Sequence, residues 1–272
     1  MNDDAVDLDA YFRRIGYAGD RAPTLETLRT IHRLHPMAIP FEGLDPFTGR
    51  TPALDIASLQ AKMLHSRRGG YCFEQNGLLQ AVLEALGYRL STLIGRVVWM
   101  RPEGLPIPAP SHMGLRVELP EGVFLVDAAF GGNTMTGPIR LEPHLEQDTP
   151  HGKVRLIPHA DGYESQALLG GEWRSTYIMS LTPKYPADFE LSNWWTATHP
   201  TSIFVNNLIV TGVGEGERRA LLNRNLTRRP LEGPPESRRI EDAADLAQVL
   251  DEVFGIEPPE PAASFFERIP VG

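Results

Sequence analysis

The sequence predicts an α+β fold, and three features of its 272 residues carry that expectation. Apolar residues recur at three- and four-residue spacing through the first third. From Tyr88 the spacing shortens to two and β-branched residues appear. After Phe189 strand and helix patterns mix again. Residues 1–87 are therefore expected to form a helical bundle, 88–188 an antiparallel sheet or small barrel, and 189–272 a mixed α/β section.

Each element has its own signal. Tyr11, Phe12 and Ile15 mark a first helix, Leu25, Leu28, Ile31 and Leu34 a second, and Ile56, Leu59 and Met63 a third. Pro36, Pro40, Gly43 and Pro46 interrupt the pattern after the second, and Gly69-Gly70 end the third. A fourth helix starts near Cys72, carries Leu79, Val82, Leu83 and Leu86 on one stripe, and stops at Gly87. Strands are expected over 91–100, 113–119, 122–127, 154–157 and 175–180, separated by turn-rich segments at 101–111, 131–137 and 159–162. The last section reads as a strand over 202–210, helices over 217–228 and 242–254 with a linker at 230–235 between them, and a proline-rich loop or tail at 257–262.

Composition narrows the function. The 26 Lys and Arg against 35 Asp and Glu leave a net charge of −9, which argues against a general nucleic-acid binder, because neutralising phosphates needs a basic surface. The acidic opening Met1-Asn2-Asp3-Asp4 lacks the basic and apolar regions of an export signal. No apolar run reaches the ~18 residues of a membrane span, so a cytoplasmic protein without membrane contact is expected. A single cysteine excludes an intrachain disulfide and a multi-cysteine metal centre.

That cysteine, Cys72, follows a glycine turn and opens the fourth helix in Arg68-Gly69-Gly70-Tyr71-Cys72-Phe73-Glu74-Gln75-Asn76. Free N–H groups and the positive end of the helix dipole favour an anion there, so a thiol at such a position deprotonates more readily. A nucleophilic cysteine needs a base and a group to orient that base. His112 stands off the apolar stripe of Met113, Leu115, Val117 and Leu119, and Asp127 closes an otherwise apolar strand. His112 lies nine residues before Glu121 in the intervening turn and Asp127 six after it, so a small register offset or bulge would bring them together. Each residue also has a plainer reading: core cysteine, exposed histidine, turn-forming aspartate. His32 and His35 on the second helix lack a third metal ligand and read as structural. Arg218, Arg219, Arg224, Arg228 and Arg229 read as a solvated helix face. Arg68 and Glu74 are expected to brace the turn before Cys72 as an ion pair.

The run from Arg68 to Asn76 resembles the signature of the arylamine N-acetyltransferases. The resemblance extends to His35 with Ile39-Pro40-Phe41-Glu42-Gly43-Leu44, to Ser111-His112, to Val126-Asp127-Ala128-Ala129-Phe130-Gly131 and to Thr198-His199-Pro200-Thr201-Ser202-Ile203-Phe204. It implies a helical bundle, a β-barrel and a C-terminal α/β lid, the first two forming a cysteine-protease-like core. It further implies Cys72 as acyl-accepting nucleophile, His112 as base and Asp127 as its orienter, with acetyl-CoA as donor and arylamines, arylhydrazines or hydroxylamines as acceptors. No permanently bound cofactor and no metal are implied. Phe41, Phe130 and Phe204 are candidate pocket walls, and Gly131-Gly132 a place where backbone approaches CoA. Gly43 departs from the family, which often has Asn there. A transglutaminase-like or papain-like amide hydrolase would use the same three residues, and a binding protein on this fold would leave Cys72 inert.

Overall fold

A computed structural model describes residues 5–102 and 104–271; the acidic opening stretch 1–4 lies outside them. The first section forms α1 (Leu8–Ile15), α2 (Leu25–Ala38), the two-residue strand β1 (Phe41–Glu42), the short α3 (Leu44–Phe47), α4 (Ile56–Met63) and α5 (Cys72–Ala85). Local chemistry starts the longer helices: Asp7, Thr24 and Asp55 cap α1, α2 and α4 by accepting backbone N–H groups of the first turn. Pro36 sits inside the last turn of α2, which ends soon afterwards at Ala38. Leu79, Val82, Leu83 and Leu86 are all buried, as their spacing requires, and each fully buried Leu or Val contributes roughly 1.5–3 kcal/mol.

Eight antiparallel strands follow: β2 (Arg89–Val97), β3 (His112–Leu119), β4 (Gly122–Val126), β5 (Ile139–Arg140), β6 (Gln147–Thr149), β7 (Gly152–His159), β8 (Gly162–Leu169) and β9 (Glu172–Ser180). They are ordered β5-β4-β3-β2-β9-β8-β7-β6 and curl into a nearly closed barrel. Strand β8 is not anticipated by the sequence pattern, because its Glu164, Ser165 and Gln166 break the apolar alternation. Its place is set by its neighbours and by the turn at Gly162, where φ is 147° and a Cβ would lie 2.2 Å from the Met179 carbonyl.

The last section comprises α6 (Pro186–Thr198), α7 (Ile203–Asn206), β10 (Ile209–Val213), β11 (Glu217–Leu222), β12 (Asn225–Pro230), β13 (Glu236–Arg239), α8 (Ala243–Gln248) with a π-helical extension to Val253, and α9 (Ala262–Phe265). Two expectations are corrected. Residues 202–210 are a helical turn followed by the start of a strand, since Ser202 caps α7 through its side chain. Residues 217–228 form a β-hairpin, not a helix. Asn223 takes a left-handed φ of 54° at the two-residue turn pairing Leu222 with Asn225, a conformation Asn tolerates and a helix excludes. The arginines expected on a helix face consequently lie on paired strands and their turn.

A second sheet, β1-β10-β11-β12-β13, draws the N-terminal β1 into the C-terminal section, with Phe41 opposite Thr211. The largest core cluster unites α1, α2, α4 and α5 with Ile94, Met113, Leu115 and Val117 from the barrel's outer face. A second fills the barrel with Leu93, Leu125, Leu156, Tyr177 and Met179. A third joins Leu44 and Phe47 to the C-terminal sheet and helices. Cys72 lies within the first, beside the barrel rim. No helix among the described residues is long and apolar enough to cross a membrane.

Candidate active site

Cys72 is held by the turn before it. Gly69 passes so close to Pro40 that a Cβ there would meet the Pro40 carbonyl oxygen at 1.8 Å. Gln75 donates to the carbonyls of Gly70 (2.7 Å) and Pro40 (3.0 Å), and Glu74 reaches back to accept the Tyr71 N–H at 3.1 Å, the reciprocal half of a capping box. The expected Arg68–Glu74 ion pair is replaced by a larger cluster. Arg68 bonds Glu42 (2.8 Å) and Asp45 (3.0 Å), while Lys62 bonds Asp45 (2.5 Å) and Glu74 (2.6 Å). The glycine turn sends Arg68 toward β1 and α3, whereas Glu74 is committed to the helix cap. Three carboxylates thus share two cations. Burial pushes Glu74 up to about 7 against the pull of Lys62, with Glu42 and Asp45 adding to the rise.

The β3–β4 ladder pairs Leu115 with Val126 without a bulge, so Asp127 falls one step beyond, opposite Gly114 and on the face that His112 shares. No offset is required: with no side chain at 114, the diagonal reach suffices. His112 Nε2 lies 2.7 Å from Asp127 Oδ2. The other ring nitrogen, Nδ1, is left for Cys72, whose Sγ donates to the Ser111 carbonyl at 3.5 Å. All three side chains are buried, Cys72 at 3% exposure. Burial alone would lower His112, but the charge and hydrogen bond of Asp127, with those of Cys72, raise it to about 10. Burial opposes ionisation of Asp127 too, yet its carboxyl is held below the ordinary range by His112, Asn76 and the Ala129 N–H. The arrangement can move a proton between sulfur and imidazole.

With this geometry in view, the chain compares closely with known proteins. The N-acetyltransferase family model matches residues 24–261. An arylamine N-acetyltransferase of Mycolicibacterium smegmatis is 43% identical over 257 residues, 93% of each chain. The solved structure of an M. smegmatis arylamine N-acetyltransferase matches with a TM-score of 0.93 at 40% identity, covering 97% of this chain and 99% of that one. The Mycobacterium marinum arylamine N-acetyltransferase in complex with CoA matches at 0.89 and 42%, covering 92% and 93%. The chain belongs to the arylamine N-acetyltransferase family. It is therefore an enzyme, an acyltransferase, and its α+β architecture is that family's.

Within this arylamine N-acetyltransferase the other expected residues gather near the three. Phe130 packs edge-on to His112 at 5.2 Å between ring centroids, and Phe41 and Phe204 approach each other at 5.9 Å. At the departure, Gly43, a Cβ would lie 2.8 Å from the Phe204 ring, so a side chain there would require that ring to shift. Gly131-Gly132 begin a 3₁₀ turn, Gly131–Asn133, directly after Phe130. Two participants escaped sequence reasoning. Asn76 donates to Asp127 Oδ1 (2.9 Å) and the Met113 carbonyl (2.7 Å) and accepts the Ala128 N–H (3.1 Å). Its signal was its place four residues after Cys72, one helical turn along the same face. Tyr177 lies 4.7 Å from His112 across the barrel interior, and nothing local to its strand marks it out. His32 and His35 are buried on α2, where His35 Nδ1 meets the Tyr11 hydroxyl at 2.9 Å. Among the described residues no group of three or more His, Cys, Asp or Glu is arranged to hold a metal.

Proposed function

We propose that Cys72, His112 and Asp127 transfer an acetyl group from acetyl-CoA to an aromatic amine in a ping-pong reaction. The observation that carries this reading is His112 placed between Asp127 and the only thiol of the chain. His112, raised to about 10, holds the proton given up by the thiol, so Cys72 Sγ attacks the thioester carbonyl as the thiolate. The tetrahedral adduct then collapses, the sulfur of CoA leaves with the proton returned by His112, and acetyl-Cys72 remains. First-turn N–H groups of α5, which have no intrahelical acceptor, suit the developing oxyanion. In the second half-reaction an arylamine, arylhydrazine or hydroxylamine attacks the thioester. His112 accepts the amine proton and passes it to the departing sulfur of Cys72.

Asp127 keeps Nε2 engaged, so that Nδ1 serves both proton transfers. Phe41, Phe130 and Phe204 form the aromatic walls that receive the acceptor. The CoA complex of the M. marinum relative supports the same donor here. We read 1–87 as the section carrying the nucleophile, 88–188 as that carrying base and orienter, and 189–272 as a cover contributing Phe204.

The test mixes protein, acetyl-CoA and a simple arylamine and follows intact mass alongside CoA release. An acetyl adduct absent in Cys72→Ala, discharged on adding amine, is the expected result. CoA release without any adduct, or peptide cleavage in place of acetylation, would refute the reading.

A further inference from the structure

Arg218 and Arg229 face one another across the β11–β12 ladder. Arg218 is only 9% exposed and Arg229 is half-buried. Withdrawing a guanidinium from water is costly unless an anion compensates it, and two side by side repel. Their neighbours Arg219 and Arg224 have carboxylates within reach, Glu217 at 3.4 Å and Glu267 at 4.0 Å. Arg218 and Arg229 instead meet neutral acceptors among the described residues. Arg218 Nη2 donates to the His151 carbonyl at 3.2 Å; Arg229 donates to the Gly132 carbonyl at 2.6 Å and, more weakly, to Asn133 Oδ1 at 3.3 Å. Arg218 Nη1 is buried without any acceptor among the described residues. Burial and the charge of Arg229 push Arg218 down to about 10, the direction expected of a cation lacking its counter-ion.

The pair lies behind the Gly131–Asn133 turn. On one side of that turn a Cβ at Gly131 would sit 3.7 Å from Phe41; on the other, a Cβ at Gly132 would sit 3.1 Å from Arg229 Nη2. The turn therefore separates the aromatic surroundings of Cys72 from two uncompensated guanidinium groups. A tetrahedral oxyanion, with several acceptor oxygens around one centre, matches two forked donors better than a single carboxylate does.

We propose that Arg218 and Arg229 bind a phosphate group against the Gly131–Asn133 turn. Two sources share that chemistry: a phosphate of the acyl donor, which rests on the acyl-transfer reading above, and free inorganic phosphate.

The test uses the full chain. Melting temperature is measured in phosphate and in chloride at equal ionic strength, and kcat/KM is compared for acetyl-CoA and for S-acetylpantetheine, which has no phosphate. Phosphate should raise the melting temperature of the unsubstituted protein, and Arg229→Gln and Arg218→Gln should remove that rise. Loss of a charged hydrogen bond should lower the ratio of the two kcat/KM values roughly tenfold or more in the variants. A lowered ratio assigns the site to the donor; a lost phosphate effect with an unchanged ratio assigns it to free phosphate. Should Arg218→Gln fail to fold, half-buried Arg229 decides with Arg229→Gln. No phosphate effect in the unsubstituted protein together with a constant ratio in Arg229→Gln overturns the proposal. Failure of Cys72 to accept acetyl from acetyl-CoA would sink the acyl-transfer reading, while the phosphate effect on melting would still report the site.

Discussion

Replacing Asn76 with alanine removes the side chain that ties the Cys72 helix to the hairpin carrying His112 and Asp127. Three buried hydrogen bonds go with it: donation to Met113 O at 2.7 Å, donation to Asp127 Oδ1 at 2.9 Å, and acceptance of the Ala128 N–H at 3.1 Å. The bond to the ionised carboxylate is worth about 1.5–3 kcal/mol and each neutral one about 0.5–1.5, with a buried carbonyl and N–H left unpaired, so the loss comes to roughly 3–5 kcal/mol. That is less than the roughly 5–15 kcal/mol of a typical domain, and Asn76→Ala should still fold. Asp127 keeps the Ala129 N–H at 3.0 Å and His112. The triad is then loosened, not dismantled, and kcat/KM for amine-dependent CoA release should drop about 10- to 100-fold. Urea unfolding reads the stability as a shifted midpoint at constant slope. A double-mutant cycle with Asp127→Ala isolates the direct bond, expected at about 1–3 kcal/mol of coupling. Asn76→Ala within about 1 kcal/mol of the parent, with CoA release unchanged, would refute the view that this residue locks helix to hairpin.

Three further outcomes follow from the same contacts. Gly69→Ala must displace the Pro40 carbonyl that its Cβ would meet at 1.8 Å, and circular-dichroism melts should show a loss of more than ~4 kcal/mol, the range of severe single substitutions. Lys62→Met leaves Glu74 and Asp45 without their shared cation, and chemical denaturation should register about 3–5 kcal/mol, the cost of breaking a buried pair from one side; a neutral result would mean that Arg68 alone balances the cluster. Burial lowers His32 to about 4 and His35 to about 3, below the 6.5 of an unfolded imidazole. The unfolded chain then binds more protons, so stability present above pH 6.5 is lost as pH falls toward 4 and 3. Urea midpoints measured from pH 7 to 4.5 should decline less steeply in His32→Phe, and an identical slope would show that His32 is not the group being charged.

Much of the architecture was legible from local patterns. The apolar spacing of α1, α2, α4 and α5 reports which face of each helix is buried, and the Pro120-Glu121 turn with its flanking alternation locates β3 and β4. Failures came where a local pattern supports two structures. Residues 217–228 contain Leu221 and Leu226, which the hairpin buries and which a helix could also place in a core; the left-handed Asn223 selects the hairpin. Strand β8, polar in its middle, is a strand because β7 and β9 flank it. Arg68 was recognised as bracing the turn, but its partners, Glu42 and Asp45, arrive from a part of the chain more than twenty residues earlier.

The residue types of the proposed acyl transfer, and their order along the chain, could be read without coordinates. A thiol at a helix start, a histidine off its strand's apolar stripe and an aspartate closing the next strand are all consequences of local periodicity. Their convergence is a different matter, since it depends on how far a ladder slides and which core face a helix meets. Those are long-range choices, made when α5 packs its apolar stripe against the outer face of the barrel. Only then do Sγ, the imidazole and the carboxylate share one buried spot, with Asn76 joining them and Tyr177 closing from behind. The charges of Arg218 and Arg229, unmatched among the described residues, likewise emerge only on folding, because no sequence position reveals that a guanidinium will be buried away from carboxylates.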